Sequence, residues 1–408
     1  MFRPMLILLL MPVLCVGRTI NVCSSCQFTS IQQAVSMADS GDVVLVKTGI
    51  YREHDIMIDR PVLLKADGEV IIDGETKSYI IKVLSDHVSV SGFVLKNVGI
   101  SYTKDLAAIL IDHSHHFVIE NCILEAAFFG IKVEKSAHGN IRNNTVSSHG
   151  TNETTSGNGI HLWHCEKVNV SENHVFRMRD GIYFEFVKES SVSNNLCENN
   201  FRYGLHFMFS NNDVYTDNTF RSNGAGVAVM FSKFIEMKRN TFIKNWGSAS
   251  YGLLLKEIYD AEIINNEFIE NTVAINVEGS TRINYRNNTL KANGWAVKIV
   301  GACYANLFEA NNFSSNAFDV SYNSQMNDNR FSGNYWSEYT GYDLDKDGTG
   351  DVPYRPVKLF SYIVNRTPET IVLLRSLFVD IINFSEKVSP VFTPDELVDN
   401  APKMKLIP

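Results

Sequence analysis

Cysteine, positive charge and long apolar runs are all scarce in this sequence, and each scarcity removes a class of protein. Seven cysteines in 408 residues are too few for a disulfide-built scaffold. Lys and Arg total 37 against 45 Asp and Glu, a formal net charge of −8, which argues against a polyanion such as nucleic acid as the main partner. The apolar run at residues 5–16 is too short to cross a bilayer comfortably. Preceded by Arg3 and ending among the small residues Cys15 and Gly17, it reads as a secretory signal over residues 1–17, with the mature chain starting near Arg18. No small residue stands directly before Cys15, so the expected product is exported and not lipidated. The remaining composition, 45% apolar and 20% charged, is that of a folded soluble protein.

What is present is a repeat. A Gly or Ala followed by apolar residues at offsets one and three recurs as GIKVE (130–134), GIHLW (159–163), GIYFE (181–185), GLHFM (204–208) and GVAVM (226–230). It continues as GLLLK (252–256), AINVE (274–278), AVKIV (296–300) and AFDVS (317–321). The period is about 22 residues, which signals stacked repeats and is about half that of a β-propeller blade. Apolar residues two apart give strand periodicity, and no helical pattern fits inside a copy. Each copy also carries an Asn-rich corner, such as RNNTV, SNNLC or INNEF, where Asn tolerates left-handed backbone and amides can pair between copies. The expected fold is all-β, a right-handed parallel β-helix over residues 18–340. Longer spacings mark surface excursions at 147–158 and 246–250, and SIQQAVSMA predicts a short helix capping the N-terminal end of the coil.

Offsets two and four must point outward if one and three point in. Offset four then reads Glu134, Trp163, Glu185, Met208, Met230, Lys256, Glu278; offset two reads Lys132, His161, Tyr183, His206, Ala228, Leu254, Asn276. Met208 and Met230 are expected as neighbours on one wall, with His206 beside Met208. Two thioethers and an imidazole suit a soft ion such as Cu(I). The same methionines also suit an apolar strip beneath a partner protein.

Other motifs bear on chemistry or on closure of the coil. Cys23 and Cys26 form a C-x-x-C, read as a local disulfide or a thiolate copper site. Cys122, Cys165, Cys197 and Cys303 read as small packing residues, and the histidines of IDHSHHFVIE (111–120) as a solvated turn. Asp343, Asp345, Asp347 and Asp351 follow D-x-D-x-D-G-x-G-D, a calcium-like loop with Gly348 at the turn; Tyr354 replaces the Glu that would complete an EF-hand. A bound Ca²⁺ and a self-capped turn are both open. With Tyr335, Trp336, Tyr339 and Tyr342, residues 341–365 are expected to staple the last coil. Thr367 and Pro368 predict the start of an amphipathic helix in the tail 366–408, with Leu374, Leu377, Phe378, Ile381 and Ile382 on its apolar face. That face either packs back on the coil or docks on a membrane partner.

The segments RYGLHFMFSNND, GVAVMFS, YGLLLKE and GNYWSEYTGYDLDKDGTGDVPYRP, with the tail PETIVLLRSLFVDIINFSEK, resemble the NosD family over nearly the whole mature chain. That resemblance implies a periplasmic, non-enzymatic maturation factor for nitrous oxide reductase. It would work with an ABC transporter (a membrane subunit and its ATPase) and a copper chaperone to supply the copper–sulfide site. The competing reading is a carbohydrate-active β-helix enzyme (lyase, hydrolase or epimerase) on acidic polysaccharide, since that fold is shared. Hydrolases of this fold need clustered carboxylates on one face, and lyases need Ca²⁺ carboxylates plus a basic residue; the outward ladder offers only Glu185 beside Met208, with no neighbouring Asp pair.

Overall fold

The computed structural model describes residues 17–101, 103–125, 127–323, 328–388, 394 and 396–408; the signal expected at residues 1–17 lies almost wholly outside them. From residue 107 onward every coil contributes one strand to a 12-stranded parallel sheet and two short strands to a 24-stranded one. Stacking is strictly in register, as in Ile160↔Ile182, Ile182↔Leu205 and Leu205↔Val227. Offset-one and offset-three residues fill the interior: Leu205, Phe207, Val227, Val229, Leu253 and Leu255 are buried. The coil is thus a parallel β-helix with a single continuous apolar core.

Corners hold the coils apart and together. Asn144, Asn173, Asn195, Asn218, Asn240, Asn266, Asn288, Asn311 and Asn334 form a buried ladder, each side-chain amide donating to the next carbonyl at 2.9–3.0 Å. Every rung thereby accepts from one neighbour and donates to the other, so a buried amide leaves nothing unpaired.

The helix α1 (Ile31–Met37) covers the N-terminal end, with Ile31, Ala34 and Val35 buried. Its first turn is held by Glu53, whose carboxylate accepts from Ile31 and Gln32 N–H. At the other end Trp336 and Tyr354 enter the core and Tyr339 packs on them, whereas Tyr342 is exposed. Tyr342 therefore takes no part in the closure assigned to it. The tail differs more. Residues 396–408 return to the coil: Asp399 bridges to Phe331 and Lys403 to Tyr335, both parallel, and Asn312 exchanges two hydrogen bonds with Ile407. The end of the expected docking tail is a closing coil.

The single helix expected from Thr367 is also corrected. The structure has α2 (Leu359–Arg366), a 3-10 turn Pro368–Leu373, and α3 (Leu377–Val388). Pro368 does open the 3-10 turn, but Thr367 makes no side-chain cap bond. Arg375 at φ 69° breaks the run before α3. Both helices lie on the outward face of the last 12-sheet strands, around Phe318, Phe360, Val364 and Val379. Glu386 of α3 accepts from Leu359 N–H at 2.8 Å and so caps α2.

Candidate metal centre

On the outward wall of the 12-stranded sheet, strands Asp180–Glu185, Tyr203–Met208 and Ala225–Met230 lie side by side. Glu185 stands opposite Met208, and Met208 opposite Met230. Both methionines are half-buried and outside the cylinder. The Tyr183 hydroxyl reaches the Met208 sulfur at 3.8 Å, which orients that thioether.

His206 faces outward yet is only 6% exposed, because it is clasped by aromatic rings. It stacks on Tyr183 at 4.7 Å and leans on Tyr203 at 4.8 Å. Nδ1 lies 3.3 Å from Asp180 Oδ2 and 3.4 Å from Arg202 Nη2, which grips the same carboxylate. Burial pushes Asp180 up, but Arg202 and His206 outweigh it and hold the carboxyl below its usual range. An ionised carboxylate only accepts, so it places the imidazole proton on Nδ1. The lone pair is then on Nε2, which is buried and has no partner among the described residues. A carboxylate behind one imidazole nitrogen and a free lone pair on the other is the arrangement that metal-binding histidines use. Met208 and Met230 stand in register on the same wall, and thioether and imidazole are donor types that suit Cu(I).

A feature missed from the sequence borders this wall. Phe186, Phe209 and Phe231 follow offset four in three successive coils and stack at 5.1 Å, with Phe186 and Phe209 exposed. All three have φ between 51° and 54°, a left-handed conformation that disfavours bulky side chains. The signal was legible as the Phe that ends GIYFEF, GLHFMF and GVAVMF.

The remaining expected sites are scattered. Cys23 and Cys26 are joined in a disulfide, Cα–Cα 4.9 Å, so the thiolate copper alternative has no thiolate. Cys122, Cys165, Cys197 and Cys303 are buried, and burial pushes the Cys122 thiol up to about 11 and that of Cys165 up to about 12. His87, His116 and His138 stack along an exposed corner at 4.8 and 5.0 Å. Asp343, Asp345 and Asp347 bring one ligand oxygen each within 4.8 Å of the others. Asp351 is turned aside to Leu344 N–H at 2.7 Å, and the loop's own amides at Asp347, Gly348 and Thr349 donate to Asp343 and Asp347. Of the apolar tail residues, Leu377, Phe378 and Ile381 are exposed while Leu374 and Ile382 pack on the Phe318 cluster. Among the described residues no helix is long and apolar enough to cross a membrane.

Comparisons with known proteins fall into two groups. The chain is similar to solved β-helix structures: a family 28 exopolygalacturonase of Yersinia enterocolitica (10% identity, TM-score 0.59, 77% of this chain and 78% of that one) and a mannuronan C-5 epimerase module of Azotobacter vinelandii (12%, TM-score 0.53, 76% and 96%). At such identity the likeness shows the fold alone. Residues 145–341, which include this wall, match the family described as "Periplasmic copper-binding protein (NosD)". Over 86% of its length the chain is 28% identical to a "Probable ABC transporter binding protein NosD" of Pseudomonas aeruginosa, of which 86% is covered, and 25% identical to the protein of that name from Stutzerimonas stutzeri, of which 84% is covered. The match over residues 145–341 and the 25–28% identity along 86% of the chain support membership of the NosD family, which is described as periplasmic and copper-binding.

Proposed function

We propose that this chain is an exported, non-enzymatic accessory factor that holds Cu(I) transiently at His206, Met208 and Met230 during assembly of the copper–sulfide site of nitrous oxide reductase. The observation that carries the reading is the register Met208↔Met230 beside an imidazole whose Nε2 is buried and unpartnered. Copper is cargo here. The thioethers are weak enough donors to release it, and the Phe186–Phe209–Phe231 ridge gives a copper chaperone or the reductase an apolar edge to rest on. The names of the relatives support an ABC transporter as partner. Exposed Leu377, Phe378, Ile381 and Phe384 give its membrane subunit an apolar helix face to hold.

The test is an anaerobic Cu(I) titration of the whole chain against a competing chelator. The wild type is expected to take one equivalent at this wall. His206→Ala, Met208→Ala and Met230→Ala should each weaken it at least tenfold, while Met37→Ala, exposed at the far end, should not. Undiminished binding by the triple variant would overturn the assignment.

A further inference from the structure

Arginine occupies the same place before the outward strand in two successive coils, and Arg202 N–H donates to Arg179 O at 2.9 Å. Each guanidinium reaches back to the residue two before the core isoleucine that opens the preceding coil's inward pair. Arg202 grips Asp180 through Nε at 2.8 Å and through Nη2. Arg179 Nη2 donates to Asn158 Oδ1 at 3.1 Å. Asn158 and Asp180 occupy the same column, two residues before the paired Ile160 and Ile182. One coil therefore holds a complete ion pair and its neighbour holds the same contact with an uncharged amide. Among the described residues Arg179 makes no ion pair with a carboxylate.

The incomplete pair leaves donors stranded. Arg179 Nε and Asn158 Nδ2 are buried with no partner among the described residues, and so are both ring nitrogens of His161, which is 7% exposed and lies three residues after Asn158. Burial, with Lys132 and Arg179 nearby, pushes the His161 imidazole down to about 3, against a weaker pull from Asp105 and Asp180. His161 is thus neutral at pH 7 and offers one donor and one acceptor. Buried polar atoms are nearly always satisfied by protein, ordered water or an ion. An uncompensated guanidinium, an amide NH₂ and an imidazole N–H together lack an acceptor that carries negative charge.

We propose that Asn158, His161 and Arg179 form a binding site for a small inorganic anion, one coil from the thioether wall. The site is independent of copper and its test uses none. The full chain would be titrated by calorimetry with bromide, hydrosulfide and sulfate in turn, at constant ionic strength. The wild type is expected to bind one equivalent of at least one of them, and the preferred ion identifies the source. Asn158→Asp should restore the internal ion pair seen at Arg202–Asp180 and weaken anion binding at least tenfold while the chain stays folded. Arg179→Gln should weaken it equally by removing the charge, and serves if the first variant folds poorly. A wild type that binds none of the three ions has only water in the site, and the proposal falls. Equal binding by wild type and Asn158→Asp would also overturn it.

Discussion

The amide ladder ends on a carboxylate, and that exchange has a measurable consequence. Asp399 is fully buried and stands where the next rung after Asn334 would be. Its Oδ2 accepts from Asn334 N–H at 2.9 Å, Asn334 Nδ2 at 3.0 Å and Trp336 Nε1 at 3.1 Å. Its Oδ1 accepts from Gly333 N–H at 3.0 Å and Ala401 N–H at 3.1 Å. A last rung has donors above it and no acceptor below, so an acceptor-only group is the right terminator. In Asp399→Asn the new NH₂ must replace one oxygen, and either choice strands at least two donors, buried ones at Oδ2 or half-buried ones at Oδ1. At about 1–3 kcal/mol per stranded group the last coil should lose about 2–6 kcal/mol. A solenoid need not melt in one step, so the effect belongs to local opening and not to a global midpoint. Native-state hydrogen exchange at the Trp336 indole and the Asn334 amide reads it directly. The expected acceleration is at least about 30-fold. Unchanged exchange at both positions would refute the terminator argument.

Three further outcomes follow from the same structure. Asp213 Oδ1 accepts from Ser190 N–H at 2.8 Å, yet burial pushes the carboxyl up to about 7 against that bond. The folded chain then holds this proton more tightly than the unfolded one. Its contribution is full below about pH 4 and lost as pH rises through about 7. Asp213→Asn should remove that part of the slope, so its urea midpoint relative to wild type rises between pH 5 and pH 8; a constant difference contradicts the shift. The Asp343–Asp347 loop is satisfied by its own amides, so adding Ca²⁺ or EDTA should leave thermal unfolding unchanged, and a calcium-dependent rise would show a resident ion. Leu377→Glu with Phe384→Glu should leave the coil's melting as it is and abolish recovery with the proposed partner, an ABC transporter's membrane subunit. Full recovery would place the docking surface elsewhere.

The coil was legible because its signal repeats. A period near 22 residues fixes strand register, and register alone sets Met208 opposite Met230. The inward residues follow from alternation, and the Asn corners from their need for left-handed backbone. What escaped the sequence is what a repeat does not encode. Asp399 lies 65 residues from the rung it terminates, so no local pattern announces it. The break at Arg375 is a positive φ at a residue with no turn preference of its own, imposed by the fold of α3 back over Phe318. The half-made pair at Arg179 becomes visible only when two coils are laid side by side. The tail's apolar run looked like one face, but tertiary packing divides it: Leu374 and Ile382 serve the coil, and Leu377, Phe378 and Ile381 remain outside.

The acidic and aromatic groups of this wall also frame the question of enzymatic activity. Asp180 has no exposed surface and is engaged by Arg202 and His206, which leaves Glu185 without a second free carboxylate beside it on the neighbouring strands. Incubation with uronate polymers is therefore expected to release no new reducing ends by hydrolysis.

The most direct measurement is X-ray absorption at the copper edge of the whole chain loaded with one equivalent of Cu(I). Two sulfur scatterers and one imidazole nitrogen are expected, with one sulfur lost in Met208→Ala or Met230→Ala and the imidazole lost in His206→Ala. A shell of oxygen or nitrogen alone, or a sulfur shell unchanged by both methionine variants, would contradict the account.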